Sequence, residues 1–334
     1  MENKSPLVSV VLPVYNSEKE LSAALSELDR QSYQARELII VDDGSTDGTM
    51  HRAKELSSGR SDVRVLTTEH RGPAHARNVG AEQARGAIVF FAESDCVYDP
   101  SYLEKSVSSL LSDSTAGAVC LTGAPLVTRP TMATRCIEIE NKVQHRQLSE
   151  GKASPFYAWV YRRDVFDALG GFDDKLFQAE DKDLFSRLKK AGYKVAWVPG
   201  INWRHMRDQT TAELARKWFS RGKTRVLYAL KQRRTYEMLK TLGPLWLIVV
   251  GSLLLLWSPL VGGGLILLVL LAFLVQSLRV TAYAWPEIDR KRDFIGYPAF
   301  LIARNLSMAL GYSVALVTIL SRRLRGKSTA WDHL

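Results

Sequence analysis

Cysteine is scarce in this sequence, with three occurrences in 334 residues. Cys96, Cys120 and Cys136 form neither a Cys-x-x-Cys pair nor an even-numbered framework. This pattern argues against a disulfide-stapled secreted fold and against a zinc ribbon, and it favours a reducing compartment. Hydrophobic residues make up 46% and charged residues 24% of the chain. That balance excludes a disordered or collagen-like chain and suits one large domain or two modest ones.

Charge is missing from one long stretch, because the 38 residues from Thr241 to Leu278 include no Asp, Glu, Lys, Arg or His. As one helix they would extend about 57 Å, close to two crossings of a roughly 30 Å hydrocarbon core. We therefore predict a membrane hairpin with the arms Leu242–Trp257 and Leu265–Leu278. The Pro- and Gly-containing stretch Ser258–Gly264 is expected to break them, and a single long tilted helix is the alternative.

Short apolar runs alternate with helical windows near the start of the chain. The run from Leu7 to Val14 is short and contains Pro13, so we expect a strand there and no signal peptide. This alternation predicts an α/β domain with a mostly parallel, doubly wound sheet, in which ligands bind beyond the carboxyl ends of the strands. The predicted strands are Val8–Val14, Glu37–Val41, Val63–Thr67 and Ala87–Ala92, and the predicted helices are Ser17–Arg30, Thr46–Ser57 and Ala74–Ala84.

Three of these strand ends carry polar residues. The first strand ends in Pro13–Asn16, and the second is followed by Asp42–Asp47. Taken alone, the second segment also suits a turn that caps the next helix. The third segment is Glu93–Asp95, where residues i and i+2 of an extended chain point the same way. Both carboxylates can then approach one divalent cation, Mg²⁺ or Mn²⁺.

Four segments together resemble family 2 glycosyltransferases in their residues, order and spacing. The resemblance covers roughly residues 6–225. It implies a GT-A fold, a nucleotide-diphosphate-sugar donor, and a divalent cation that bridges the diphosphate to the protein. The segments are Val10–Asn16, Val41–Asp47, Ala76–Gly80 and Phe91–Asp95.

The resemblance also implies a donor pocket and a metal site. A carboxylate can accept the imide hydrogen of uracil, which fits Asp43 and favours a UDP-sugar. Arg77 offers a forked donor to the diphosphate or orients the carboxylates around it, the alternative being an ordinary surface arginine. Asp95 is the safer ligand, because Glu93 stands where the family more commonly has Asp and can instead reach the ribose or a metal-bound water. The implied donor-binding residues are Pro13, Val14, Tyr15, Asn16, Asp42, Asp43, Arg77, Asn78, Glu93 and Ser94, and the implied metal ligands are Asp95, Glu93 and His205.

A later pair of segments resembles the acceptor side of the family, since Gly170–Asp173 is followed by Glu180 and Asp181 at the start of a helical window. The resemblance implies that Asp181 is the general base, that Glu180 holds an acceptor hydroxyl, and that the anomeric configuration inverts. A positioned carboxylate typically accelerates such a step by about 10²–10⁴. The alternative is an acidic first helix turn, which is compatible with catalysis. His205 lies where some relatives place a histidine that reaches the metal or the diphosphate, although a lone histidine is more often a surface group.

Basic residues concentrate beside the predicted membrane segment. The segment from Arg204 to Arg234 contains ten Lys and Arg residues and two acidic residues. Its net charge is therefore +8, in a chain whose net charge is +10. The apolar residues among them predict an interfacial amphipathic helix, or alternatively a basic helix packed on the catalytic domain. No nucleic-acid-binding motif accompanies the patch, so we expect no nucleic acid partner. The positive-inside rule predicts a multi-pass protein of the cell membrane with a cytoplasmic catalytic domain.

A third apolar stretch, from Phe294 to Leu320, contains Arg304 and precedes a basic tail. We expect a re-entrant or interfacial pair of helices broken near Gly311, with three membrane crossings as the alternative. The expected division of the chain is a catalytic domain at 1–210, a basic interfacial segment at 211–240, a transmembrane hairpin at 241–278, and the remaining loop, third apolar segment and tail at 279–334.

Membrane attachment beside an acceptor site suggests membrane lipids as partners and a lipid-linked or other glycan acceptor. The Gln-x-x-Arg-Trp motif of processive synthases is not matched, since the nearest string is Leu214–Trp218, Leu-Ala-Arg-Lys-Trp. We therefore expect metal-dependent, inverting transfer of a single sugar. A polyprenyl-phosphate sugar synthase is the enzymatic alternative, and a catalytically silent GT-A scaffold is the non-enzymatic one.

Overall fold

The chain is described from a computed structural model that covers residues 5–123, 131–150, 152, 158–176, 180–205, 210–231, 246–288 and 291–324. It divides into two compact units. The first contains Met1–Thr128 and Gln144–Arg207, and the second contains Arg129–Val143 and Asp208–Leu334. The short piece Arg129–Val143 therefore belongs with the C-terminal part of the chain, although the predicted catalytic domain ran unbroken from 1 to 210.

The first unit is built on a mixed, mostly parallel sheet. Within the described residues its order is β3-β2-β1-β4-β7-β6-β8-β5. Four neighbouring pairs are parallel: β1 with β2, β1 with β4, β2 with β3, and β6 with β8. Three neighbouring pairs are antiparallel: β4 with β7, β6 with β7, and β5 with β8. The predicted α/β class is confirmed, and the four predicted strands coincide closely with β1–β4. The strands are β1 Val8–Val14, β2 Arg36–Asp42, β3 Val63–Thr67, β4 Ile88–Phe91, β5 Cys96–Tyr98, β6 Ala116–Gly123, β7 Val160–Arg162 and β8 Lys194–His205.

Helices cover both faces of this sheet, which explains why its parallel strands read as continuous apolar runs. Alternate residues of β1 enter different cores: Val10 and Leu12 join one cluster, and Val11 joins the other. The helices in this part of the chain, including α5, whose start belongs to the second unit, are α1 Leu21–Asp29, α2 Thr49–Ser57, α3 Pro73–Glu82, α4 Tyr102–Ser112, α5 Met132–Ser149, α6 Arg163–Ala168 and α7 Glu180–Lys190.

Helix α3 approaches the sheet closely through Gly80. A side chain at this position would collide with the side chains of Val11 and Val41. The glycine therefore brings α3, which carries Arg77 and Asn78, against the strands whose ends carry the polar segments.

The second unit is helical, with α8 Thr211–Lys231, a helical stretch at 246–254, α9 Pro259–Tyr283 and α10 Lys291–Leu324. Its core joins the start of α5 to α8 and α10, and the rings of Trp218 and Phe300 meet edge to face at 5.0 Å. The apolar face of α8 thus packs on a neighbouring helix. Two ion pairs, Arg135–Asp293 at 2.9 Å and Arg304–Glu140, also join α5 to α10.

Among the described residues, two helices are long and apolar enough to cross a membrane. They are Pro259–Tyr283, with mean hydropathy 2.4, and Asp293–Arg322, with mean hydropathy 1.5. The expected break at Ser258–Gly264 lies earlier, in a turn at 255–257, and its three glycines lie inside α9. Gly262 is needed because a side chain there would collide with the backbone of Gly251 and Leu255.

The expected break near Gly311 is not formed, because Lys291–Leu324 is a single helix. A side chain at Gly311 would collide with the carbonyl group of Phe219 on α8. In both apolar segments, therefore, glycine marks a close approach between helices and not a break.

Candidate active site

One edge of the sheet gathers three of the polar segments. The carboxyl ends of β1, β2 and β4 lie side by side because these strands are parallel neighbours. Pro13 and Val14 lie on β1 opposite Val41 and Asp42 of β2. The residues that follow, including Ser94 after β4, extend beyond this edge, where α/β sheets bind their ligands.

Asn16 and Asp42 hold the first two loops together. Asn16 adopts a φ of +47°, a left-handed conformation that asparagine tolerates. Its backbone N–H donates to Ser45 Oγ at 2.9 Å, and its Oδ1 accepts from the Thr46 N–H at 2.9 Å. The Asp42 carboxylate accepts the Ser45 hydroxyl hydrogen. Both side chains thus tie together the loops that follow β1 and β2.

Asp43 anchors the loop that follows β3. Its side chain is buried, and it accepts backbone N–H groups from Arg71 at 3.1 Å and Gly72 at 2.9 Å. Its Oδ2 also lies 3.0 Å from Nδ1 of His70. The His70 ring is stacked on Tyr15, with 4.0 Å between centroids and 16° between planes. Asp43 therefore places an imidazole against the predicted base-binding tyrosine.

Sequence reasoning did not select His70. The residue lies just beyond β3, at a strand end whose following residues were not considered. The sequence signal was Gly72 itself, because glycine favours turns. In the structure this glycine adopts a φ of +95°, and its N–H donates to Asp43.

Arg77 is a buried charged group of the site, with 4% of its surface exposed. Its Nη1 donates to Glu180 Oε1 at 2.7 Å, and its Nη2 lies 3.7 Å from Glu93 Oε1. The guanidinium carbon lies 4.9 Å from the ring centroid of Trp159 and 5.6 Å from that of Phe172. One arginine thus lies between a carboxylate after β4 and a carboxylate at the start of α7.

Burial raises the pKa of the Glu180 carboxyl. The Arg77 guanidinium opposes that shift, whereas the neighbouring Asp181 carboxylate adds to it. Glu180 therefore depends on its arginine partner to carry a negative charge in this position.

The side-chain amide of Asn78 binds the backbone of Phe172 through both its nitrogen and its oxygen. Its Nδ2 donates to the Phe172 carbonyl oxygen at 2.8 Å, and its Oδ1 accepts from the Phe172 N–H at 2.9 Å. These bonds fasten the Gly-Gly-Phe-Asp segment to α3. Direct donor binding by Arg77 and Asn78 stays a prediction, and the contacts of both residues are to protein groups.

Asp181 lies in the first turn of α7, next to Glu180. Its side chain is half-buried, and its Oδ1 accepts from the Lys182 N–H at 2.7 Å. The positive end of the helix dipole stabilises a carboxylate at this position. Residues 177–179, which precede the helix, lie outside the described residues.

A metal ion fits the segment after β4. One ligand atom each from Glu93, Asp95 and Cys96 lies within 4.8 Å of the others. The two carboxylates are the hard oxygen ligands that Mg²⁺ and Mn²⁺ prefer. Burial, together with Glu93 and Asp95, raises the pKa of the Cys96 thiol, which disfavours a thiolate ligand. The predicted ligand His205 pairs with Cys96 in the register of β8 with β5, and its side chain lies outside the described residues.

Comparison with known proteins decides the family of this site. Residues 9–170, which include the three strand ends and α3, match the description "Glycosyl transferase family 2". The chain carries a family 2 glycosyltransferase domain. This match confirms the resemblance to family 2 glycosyltransferases drawn from the sequence, and the edge of polar segments stays the predicted active site.

Named relatives agree that the chain is a glycosyltransferase. It is 29% identical over 255 residues to glycosyltransferase AglE of Haloferax volcanii, covering 75% of this chain and 82% of that protein. It is 37% identical over 106 residues to the UDP-Glc:alpha-D-GlcNAc-diphosphoundecaprenol beta-1,3-glucosyltransferase WfgD of Escherichia coli, covering 31% of this chain and 41% of that protein.

A solved structure shares the fold. It is the mannosyltransferase PcManGT from Pyrobaculum calidifontis, in complex with GDP-Man and Mn²⁺. The two structures superpose with a TM-score of 0.59 at 20% sequence identity, over 92% of this chain and 88% of the PcManGT chain. This likeness confirms a GT-A-like fold for the glycosyltransferase.

Proposed function

We propose that this glycosyltransferase transfers a single sugar from a nucleotide-diphosphate-sugar, a UDP-sugar, to a hydroxyl of a lipid-linked glycan at the cell membrane. The reaction depends on a divalent cation and inverts the anomeric carbon. One observation carries the proposal: Arg77 joins the carboxylate group after β4 to the first turn of α7, at 3.7 Å from Glu93 and 2.7 Å from Glu180. This contact supports a single site that contains the candidate cation ligand Glu93 and Glu180, the neighbour of the candidate base.

The donor half of the proposal rests on the loops of this site. Tyr15 and His70 offer aromatic faces beside Asp43, and a nucleobase stacks well on such a surface. Glu93 and Asp95 would hold Mn²⁺ or Mg²⁺, which neutralises charge on the diphosphate as it leaves. The complex of PcManGT with GDP-Man and Mn²⁺ supports a donor and a cation of these classes.

The acceptor half rests on α7. Asp181 accepts the proton of the attacking hydroxyl, because a carboxylate near the reacting atoms makes an alcohol a better nucleophile. Glu180, held by Arg77, orients the first turn of the helix. Attack on the face of the sugar opposite the leaving diphosphate inverts the anomeric configuration.

The lipid-linked acceptor and the membrane location rest on the second unit. Two of its helices have the length and composition of membrane spans, and the name of WfgD describes transfer to a diphosphoundecaprenol-linked sugar. The proposed orientation is a multi-pass chain with a cytoplasmic catalytic unit. Basic residues on α8, such as Arg216 and Arg221, suit contact with anionic lipid headgroups.

The test is release of nucleoside diphosphate by the detergent-purified chain, across a panel of nucleotide sugars with Mn²⁺ or Mg²⁺ and lipid extracts as acceptor. Asp181→Asn is expected to lower kcat by about 10²–10⁴ and to leave donor binding intact. Asp164→Asn is the matched control, because Asp164 is also the second residue of a helix and accepts from the next N–H, at 2.8 Å. It is expected to keep full activity.

Two results would replace the proposal. Full activity of Asp181→Asn with a polyprenyl phosphate as acceptor would establish a polyprenyl-phosphate sugar synthase, whose acceptor oxygen is already anionic and needs no base. Failure of every nucleotide sugar to bind would favour a silent scaffold.

A further inference from the structure

Arg77 carries a charge in a place that water does not reach. An arginine with 4% of its surface exposed needs compensating partners, because a buried charge without them is strongly destabilising. The side chain meets two carboxylates and two aromatic faces, from Trp159 and Phe172. Its Nε has no hydrogen-bond partner among the described residues.

The two carboxylate contacts are unequal. Glu180 lies at hydrogen-bond distance, 2.7 Å, whereas Glu93 lies at 3.7 Å, too far for a good hydrogen bond. The side chains also differ in exposure, with 25% for Glu93 and 10% for Glu180. Arg77 is thus bonded to Glu180 and only attracted to Glu93.

We propose that Arg77 is a positioning residue that couples cation binding at Glu93 and Asp95 to the placement of α7, through Glu180. This inference rests on the proposed function, and it assigns Arg77 a role other than holding the diphosphate. The site has two arrangements: in one, Arg77 is shared between Glu93 and Glu180, and in the other it pairs with Glu180 alone.

Charge selects between these arrangements. A divalent cation and a guanidinium compete for the same Glu93 carboxylate, so an occupied cation site leaves Arg77 to Glu180. Glu180 is the first residue of α7, and successive helix residues point about 100° apart. Holding Glu180 inward therefore sets the direction of Asp181. Loading of the donor half would in this way order the proposed base.

The coupling is measurable without any sugar. Mn²⁺ affinity would be measured by electron paramagnetic resonance of free Mn²⁺, using the full-length chain in detergent, for wild type, Glu180→Gln, Arg77→Gln and the double variant. Glu180→Gln is expected to weaken Mn²⁺ binding by about fivefold or more, because Arg77 then turns to Glu93. In the Arg77→Gln background the same change is expected to have an effect of about twofold or less.

These four proteins form a double-mutant cycle, which separates the coupling of Glu180 to Mn²⁺ binding through Arg77 from the simple loss of the Glu180 charge. Removing the Glu180 charge weakens Mn²⁺ binding through space in both backgrounds, and this contribution cancels in the comparison. If Arg77→Gln does not fold, Arg77→Lys replaces it, because an ammonium carries its donors on one atom and lacks the planar fork that faces both carboxylates. The effect of Glu180→Gln is then expected to shrink to about twofold.

Arg187 provides a structural control on the same helix. It holds Asp183 of α7 at 2.8 Å and donates to the Gly171 carbonyl oxygen at 2.8 Å. Arg187→Gln is expected to lower the thermal midpoint and to leave Mn²⁺ affinity unchanged.

The outcomes are distinguishable. Equal effects of Glu180→Gln in both Arg77 backgrounds would overturn the coupling, even if the wild type transfers sugar. A full coupling effect in a chain that transfers no sugar would overturn the proposed function and keep the inference. A wild type that binds no Mn²⁺ would overturn the coupling and, separately, the metal dependence.

Discussion

At the scale of single residues, the site is assembled by side chains that bind backbone. Asp43 holds the loop after β3 through two N–H groups, and Asn78 holds Phe172 through both ends of its amide. Such bonds are local in space but join residues far apart in sequence. Each therefore contributes to the shape of the pocket as much as to the stability of the chain.

Asn78→Ala is expected to lower the free energy of unfolding by about 1–3 kcal/mol, because it leaves the Phe172 N–H and carbonyl without their partners. Thermal unfolding in detergent would measure the change. Asn78→Asp keeps the oxygen that accepts from Phe172 and loses the donor, so it is expected to be destabilised as well. A raised donor KM at an unchanged thermal midpoint would instead support direct donor binding by Asn78.

The closeness of Glu93 and Asp95 was predicted, but for the wrong geometric reason. Their carboxylates lie near each other, yet the segment between β4 and β5 is a turn, in which the Cys96 N–H donates to the Glu93 carbonyl oxygen at 3.4 Å, and not the extended chain assumed from the sequence. The partners of Arg77 were not predictable, because Glu180 lies 103 residues away and reaches it only through the folded sheet. A separation of 94 residues likewise concealed the binding of Asn78 to Phe172.

At the scale of elements, a glycine in an apolar segment can either end a helix or let a neighbouring helix approach closely. A run of glycines predicted a break at Ser258–Gly264, yet the turn lies at 255–257 and the three glycines lie in the first turns of α9. Sequence alone does not separate the two cases, because a glycine that ends a helix and one that admits a neighbouring helix look alike. What distinguishes them is the backbone that lies opposite, here Gly251 and Leu255.

Gly262→Leu is therefore expected to destabilise the packing of α9 on residues 246–254, by about 1–3 kcal/mol, because it forces the two backbones apart. Gly264→Leu is the matched control, since a side chain at Gly264 meets nothing within 4 Å. Thermal unfolding in one detergent would compare the variants. Equal midpoints for the two would show that the close approach contributes nothing.

At the scale of the whole molecule, the predicted boundary at residue 210 cuts through a packed core. The start of α5 places Ala133, Cys136 and Ile139 against residues of α8 and α10, such as Trp218 and Leu301. No local sequence pattern predicts this packing, because the residues of α5 and their partners on α8 and α10 lie at least 75 residues apart. The α/β part of the fold was predictable from its runs, whereas the path of the chain between the units was not.

A chain ending at residue 210 is expected to aggregate, because it loses the partners of these apolar side chains and of Arg135 and Glu140. Size-exclusion chromatography would compare it with a version carrying Cys136→Ser and Ile139→Lys, which makes the uncovered face polar. The second version is expected to stay soluble. A monodisperse, active 1–210 chain without these changes would contradict the expectation.

The split path of the chain also has a consequence for synthesis. Cys136 leaves the ribosome long before Phe300 and Leu301, which cover it in the finished protein. At about 5–20 residues per second, the interval is on the order of 8–30 s. During that time the apolar face at the start of α5 is uncovered, and a chaperone or the membrane surface can bind it before its own partners are made.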